Sequence, residues 1–306
     1  MNIQKVLVPP LKIQGIKTKL VLSIKSVIEW DNKGIYFEPF MGSGVVGFNI
    51  APNRAIFSDN NPHIIAFYRA IQNGVITKNS AKSYLQYEGN LLQQYGQEHY
   101  LKIRTRFNQE HNPFDFLFLN RSCFNGLMRF NSKGAFNVPY CKKDMRFSQS
   151  YITKITNQID WVAKLIQNKD YEFRVCDFSQ TLQQAKENDF IYCDPPYIDR
   201  YSDYFNSWDS YQEKQLYNML CATKAKFILS TWHSNQYRQN EYIENFWGHF
   251  HHNIIEHFYH LGANETNRHS IKETLVKNYI IKQNITKNIP TKQISLFESA
   301  LERTTY

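Results

Sequence analysis

The stretch DFIYCDPPY, residues 189–197, ends an apolar run on Asp194, Pro195, Pro196 and Tyr197. Proline has no amide hydrogen and a fixed φ, so the two prolines cannot continue a strand ladder. Their carbonyls are left without a neighbouring donor. A carboxylate and a fixed carbonyl stand side by side next to an aromatic ring, which is chemistry for gripping and orienting a ligand. Asp194 would lie at the carboxyl end of a strand, where open α/β sheets bind ligands. A strand that simply ends in a turn, with Tyr197 packed beneath it, fits these four residues as well, so other segments have to decide.

A second such segment is Glu38-Pro39-Phe40-Met41-Gly42-Ser43-Gly44, between a strand pattern and a helix pattern. Gly42 and Gly44 permit a tight turn and close approach of a ligand to the backbone. Asp59 ends the next strand pattern, placed to accept hydrogen bonds from ribose hydroxyls. The spacing is GxG rather than GxGxxG, and no GxxxxGK[ST] occurs. A pyrophosphate cradle is therefore disfavoured. Adenosine without phosphates fits better, and S-adenosylmethionine is a common ligand of that kind.

These segments need a sheet to position them. Strand patterns fall at residues 34–38, 54–59, 171–178, 189–194, 226–232, 252–260 and 273–282. A helix beginning near Val45 follows the first strand, and one introduced by Asn61-Pro62 follows the second. This βαβα opening predicts a mostly parallel, Rossmann-like α/β sheet. From about 75 to 168 the pattern turns to amphipathic and polar helices, with a hairpin around Ser132, Lys133 and Gly134. The expected organisation is a catalytic domain over 1–68 and 170–282, a helical insertion over 69–169, and a polar, flexible tail over 283–306.

The chain has 306 residues, 42% of them hydrophobic and 15% aromatic, and a formal net charge of +9. Basic excess with many aromatics suits a nucleic-acid partner, although a merely basic soluble protein has the same balance. Cys123, Cys141, Cys176, Cys193 and Cys221 are odd in number and show no CxxC spacing, so neither a disulfide framework nor a zinc site is expected. The cytoplasm is the expected compartment. No signal-peptide core and no apolar run of membrane-spanning length is found. His249, His251, His252, His257 and His260 cluster, but on a strand pattern and without a carboxylate or cysteine at ligand spacing, so no metal is expected.

Several ordered segments resemble the Dam-type (D12 class) family of site-specific DNA adenine-N6 methyltransferases, over roughly residues 8–282. LKIQGIK, residues 11–17, resembles the family's amino-terminal LKWAGGK. EPFMGSG resembles its cofactor turn. NRSCFNGLMR, residues 120–129, followed by FNSKGAFNVPY, resembles its DNA-reading hairpin region. VCDF, residues 175–178, resembles the segment beside the cofactor's adenine, and DPPY is its catalytic tetrapeptide. The chain departs from the pattern at Ile13, where the family has tryptophan, and at Ile16, where it has glycine.

The resemblance implies a methyltransferase sheet carrying an inserted DNA target-recognition domain. It implies transfer of a methyl group from S-adenosylmethionine to adenine N6 in double-stranded DNA, on a base flipped into the DPPY pocket. Asp194 and a carbonyl of the proline pair would hold the N6 hydrogens, aiming the nitrogen lone pair at the methyl, and Tyr197 would stack on the base. The implied cofactor contacts are Ile13, Lys17, Glu38, Pro39, Phe40, Gly42, Ser43, Gly44, Asp59, Asn60, Asp177, Phe178 and Asp194. Lys17 reads equally as a solvated helix cation and has an equally close rival in Lys19, and a surface-turn residue is the lesser alternative for Asp177. The implied DNA contacts are Lys12, Arg121, Phe124, Asn125, Arg129, Asn131, Lys133 and Asn137, with Arg129 and Lys12 reading bases, Phe124 acting as a wedge, and at least half of the set touching only phosphates. The resemblance implies either a restriction–modification system, with a cognate restriction endonuclease as a functional rather than physical partner, or an orphan modification enzyme. Gln293 to Phe297, QISLF, resembles the peptide by which bacterial proteins dock on the sliding clamp, and also reads as a short helix packing on the body. Two other functions fit parts of the pattern: an RNA adenine-N6 methyltransferase and a non-catalytic DNA-binding regulator. The intact DPPY argues against the second, and RNA's narrow major groove argues against the first.

Overall fold

The computed structural model describes residues 5–198, 208–234, 237–258 and 270–281. Seven strands form one sheet: β1 (Tyr36–Glu38), β2 (Arg54–Asp59), β3 (Asp170–Val175), β4 (Phe190–Cys193), β5 (Lys226–Ser234), β6 (His251–Phe258) and β7 (Ser270–Lys277), in the order β3-β2-β1-β4-β5-β7-β6. The first five are parallel to one another, and β7 runs antiparallel between β5 and β6. The α/β, mostly parallel expectation therefore holds. After β1 the chain builds outward to β2 and β3, then returns to lay β4 on the other side of β1. That reversal makes the carboxyl ends of β1 and β4 the switch point at which open α/β sheets bind ligands.

Side-chain alternation along the central strands supplies two cores. Tyr36, Phe57, Phe190, Tyr192 and Ile228 face one side, while Phe37, Ile56, Ile191, Cys193, Phe227 and Leu229 face the other. The first side is covered by α1 (Val21–Val27), α2 (Val45–Ile50) and α3 (Pro62–Gln72). The same core continues into α4 (Lys78–Tyr95), α5 (Gln97–Glu110), α6 (Pro113–Ser122) and α7 (Gln149–Gln167), which lie in sequence between α3 and β3. The second side is covered by α8 (Phe178–Leu182), α9 (Ser210–Ala222) and a π-helical turn at Ile243–Trp247.

Local chemistry explains the helix boundaries. Pro62 sits in the first turn of α3, and Asn61 caps it by accepting from the His63 amide at 3.0 Å. Thr77 and Ser80 form a capping box on α4. Gly96, at φ 52°, separates α4 from α5. Inside this block Arg106 joins buried Glu88 and Asp115, at 2.9 and 2.5 Å, and His99 meets Glu88 at 2.8 Å. The expected hairpin is present: Asn131 N donates to Ala135 O at 2.9 Å, Gly134 N to Asn131 O at 2.8 Å, and Phe130 bridges to Phe136.

The strand expected over 171–178 is shorter. It stops at Val175, because the Asp177 carboxylate accepts from the Ser179 amide at 2.9 Å and starts α8 at Phe178. Helices α1, α8 and α9 were not expected from the sequence pattern. The segment Gln293 to Phe297 lies outside the described residues. Among the described residues no helix is long and apolar enough to cross a membrane, and no group of three or more His, Cys, Asp or Glu side chains is arranged to hold a metal. His252 is committed to Thr274 Oγ1 and the Trp247 carbonyl, at 3.2 and 2.9 Å; His260 lies outside the described residues.

Candidate active site

Strand β1 delivers Glu38 to the switch point and hands the chain to the glycine turn. Gly42 and Gly44 have φ of 48° and 68°, the left-handed region that glycine enters without penalty. A side chain on Gly44 would also meet the Phe48 ring at 2.6 Å. The turn is tied to β2 by Met41 N donating to Ser58 O at 2.9 Å and by Gly42 N donating to Asp59 Oδ2 at 2.9 Å. Asp59 Oδ1 takes the Asn61 amide at 2.9 Å. Burial pushes the Asp59 carboxyl up to about 6, against the pull of these two amides. Glu38 is 2% exposed and accepts from the Tyr36 hydroxyl at 3.0 Å. Burial holds its carboxyl well above the usual range. There is room for that carboxylate only because residue 47 is glycine: a Cβ there would collide with it and with the Phe57 ring.

Strand β4 delivers Asp194 beside it. Asp194 Oδ1 lies 2.8 Å from Lys17 Nζ, and Lys17 is 4% exposed. The same ammonium donates to Gly15 O at 3.2 Å and sits over the Tyr197 ring, 4.8 Å from its centroid. Burial opposes the lysine charge, but Asp194, with Tyr197 and Glu273 beyond it, more than offsets this and holds Lys17 well above its usual range. Burial pushes Asp194 up to about 6 even though Lys17 pulls it down, and Glu273 adds to the push. The pair is thus a charged lysine on a carboxyl that titrates near neutrality. Lys17, rather than its rival Lys19, is the buried one.

The carboxylates of Glu38, Asp59 and Asp194 and the lysine line one open cavity. Ile13, Lys17, Glu38, Pro39, Phe40, Gly42, Ser43, Asp59, Asn60, Asp177, Phe178, Asp194 and Pro196 all border it; Gly44 shapes the turn without lining it. Phe40 stacks on Phe178 with centroids 5.3 Å apart. Asp177 borders the cavity and caps α8 at once, spending Oδ1 on Ser179. Sequence reasoning missed Gln14, Tyr192, Trp208 and Gln212, which also border the cavity. For the last two a signal existed: Asp209 and Gln212 form a capping box, the pattern that opens a helix. Among the described residues bordering the cavity are four carboxylates and one ammonium, and the ammonium is already paired. Such a lining repels phosphates and suits an uncharged or cationic ligand.

The residues expected at DNA lie on the adjoining surface, with one exception. Phe124 is 50% exposed, and Asn125 and Lys133 are exposed. Arg129 Nε donates to Asn137 Oδ1 at 2.9 Å across the hairpin, and Asn131 Oδ1 accepts from the amides of Lys133 and Ala135 at 3.0 and 2.9 Å. Lys12 is half-buried, its stem against Gly126, and its main chain is clamped by Asn120 at 2.8 and 2.7 Å. Arg121 turns inward instead: it is 3% exposed and donates to Gln158 Oε1 at 2.6 Å and to the Tyr151 hydroxyl at 3.3 Å.

A parallel sheet with one antiparallel strand, a glycine turn after β1 and an acid after β4 define a methyltransferase-like α/β protein. The family model described as D12 class N6 adenine-specific DNA methyltransferase matches residues 14–261, and the chain belongs to that family. It is 37% identical over 166 residues to the DNA N-6-adenine-methyltransferase of Escherichia phage P1, covering 52% of this chain and only 20% of the phage protein. It is 32% identical over 247 residues to type II methyltransferase M.MjaIII of Methanocaldococcus jannaschii, covering 72% and 83% of the two chains. Type II methyltransferase M1.LlaDCHI of Lactococcus lactis subsp. cremoris is 26% identical over 261 residues, covering 80% and 86%.

Proposed function

We propose that the chain transfers a methyl group from S-adenosylmethionine to N6 of adenine in double-stranded DNA, at a specific site and on a base flipped out of the duplex. The position of Asp194 carries this reading: it directly follows β4 at the switch point, borders the cavity, and is followed by two prolines and Tyr197. The cavity suits the cofactor for stated reasons. Phe40 and Phe178 offer an apolar wall to adenine, Asp59 stands where ribose hydroxyls need an acceptor, and the excess of carboxylates favours a positive ligand. When bound, the cofactor supplies an electrophilic methyl group on a positively charged sulfur, so no metal is needed.

The protein's own residues prepare the acceptor. The N6 lone pair of adenine is delocalised into the ring and is a poor nucleophile. Asp194 and a carbonyl of the proline pair accept the two N6 hydrogens, which favours a pyramidal nitrogen with its lone pair aimed at the methyl carbon. Asp194 also stabilises the positive charge that grows on N6 as the carbon–sulfur bond breaks and the carbon–nitrogen bond forms. Tyr197 stacks on the flipped base. The methylated nitrogen sheds its extra proton without a strong base, and a carboxyl titrating near 6 can relay it to water.

Residues 69–169 form the target-recognition part. Arg129 reads guanine, Lys12 reads from the cavity side, Phe124 wedges the stack, and Asn125, Asn131, Lys133 and Asn137 fix the register. Two relatives carry type II methyltransferase names, which supports a cognate restriction endonuclease as the functional partner; the proposed setting is the cytoplasm. The test is methylation sequencing of plasmid DNA from a methylation-free host expressing the chain, beside an Asp194→Ala control. N6-methyladenine at one short motif, absent in the control, is expected. Soluble protein without methylated adenine would overturn the reading and bring RNA modification or pure DNA binding forward.

A further inference from the structure

Trp208 stands directly before α9, just ahead of its cap Asp209. Its ring borders the cavity and meets Phe40 edge-on at 5.4 Å and Phe178 at 5.4 Å. Together the three rings make one apolar wall. The Trp208 indole N–H donates to Glu213 Oε2 at 2.7 Å. The other oxygen, Oε1, accepts from the indole N–H of Trp247 at 2.9 Å. Glu213 is 5% exposed and Trp247 fully buried.

A carboxylate with each oxygen on a different indole is an expensive way to fill an apolar face. Burial of the charge costs free energy that two neutral donors only partly return, and an apolar side chain at 213 would pack more cheaply against Leu216, Leu220 and Ile243. Consistent with this, burial raises the Glu213 carboxyl, while the bonds from Trp208 and Trp247 lower it. The carboxylate's specific result is directional: its bond adds to the ring contacts in fixing the orientation of an indole that borders the cavity.

We propose that Trp208 completes the wall that receives the cofactor's adenine ring, and that Glu213 is a positioning residue that holds the Trp208 indole in place against Phe40 and Phe178. This rests on the cofactor reading above. It predicts that part of the cofactor's binding free energy depends on a buried carboxylate that never touches the cofactor.

Equilibrium dialysis of the full chain with radiolabelled S-adenosylmethionine tests it, with a thermal melt of each variant and steady-state methylation at saturating DNA. Trp208→Ala is expected to weaken cofactor binding about ten-fold, and Trp208→Phe, which keeps a ring but loses the bond to Glu213, about three-fold. Glu213→Gln is expected to raise the cofactor KM about three-fold with kcat at saturation unchanged. Trp247→Phe, which leaves the Trp208 bond intact, should bind like the wild type. The inference is overturned if Trp208→Ala binds as tightly as the wild type, if Glu213→Gln lowers kcat instead of raising KM, or if Trp247→Phe matches Glu213→Gln, since the last result reports general loosening. A wild-type chain that binds no cofactor sinks the cofactor reading and this inference together, whereas a binding wild type with an indifferent Trp208→Ala sinks the inference alone.

Discussion

Replacing Lys17 with methionine removes the cation that pairs with Asp194 among the described residues while keeping a side chain of similar length. At 2.8 Å and an effective dielectric of about 20, the attraction is about 6 kcal/mol. Asp194 is 21% exposed, so water screens part of it, and halving the figure leaves about 3 kcal/mol. That is about 2 pH units on the carboxyl. The sign follows from the charges: without the ammonium the ionised form loses its partner, so the carboxyl rises from about 6 to about 8. In the proposed mechanism methyl transfer needs an ionised Asp194 to accept from N6, so activity should fall as pH drops through that midpoint. Single-turnover transfer to a cognate duplex, at saturating cofactor from pH 5 to 9, measures it. The wild type should show an acidic limb near 6, and Lys17→Met should show the limb moved up by about two units with the rate at pH 9 largely recovered. An unmoved limb in Lys17→Met would refute the claim that this lysine sets the charge of Asp194.

Three further outcomes are expected. Gly47→Ala pushes a methyl into the Glu38 carboxylate and the Phe57 ring, so it should cost about 1–3 kcal/mol in a denaturant melt and weaken cofactor binding with it. Arg106→Met leaves buried Glu88 and Asp115 without their shared counter-charge, and urea unfolding should report a loss of about 3–5 kcal/mol. Arg129→Ala should relax sequence preference by about 1–3 kcal/mol in competition between duplexes, whereas Lys133→Ala should weaken all duplexes alike and reduce the salt slope of binding by about one.

The chemistry of DPPY and the glycine turn was legible because both are local: proline and glycine act on the main chain wherever they stand. The central strands were legible because alternation alone assigns Tyr36 and Phe37 to opposite faces. Lys17 could not be told from Lys19, since both precede α1 and no helical phase reaches them. Arg121 looked like a DNA contact because arginine beside a hairpin suits phosphate; the reason it is not exposed is that α6 is buried on every side, from Asp115 to Ser122. Trp208 and Glu213 were illegible for a different reason. Their partners Phe40, Phe178 and Trp247 come from distant parts of the chain, and only the folded sheet brings them together.

The clamp that Asn120 places on the main chain of Lys12 has a mechanical meaning. Asn120 lies in the last turn of the helix that leads into the hairpin, Ile13, the residue after Lys12, touches the cavity, and Lys17 holds the carboxylate that would perform the reaction. On the proposed function, the base-reading hairpin and the reaction centre are joined by this short strut as well as by the core they share. A hairpin seated on the wrong sequence would pull on that strut and shift the ammonium away from Asp194. Discrimination can then act on turnover as well as on residence: the enzyme would sit on a near-cognate site and simply fail to fire.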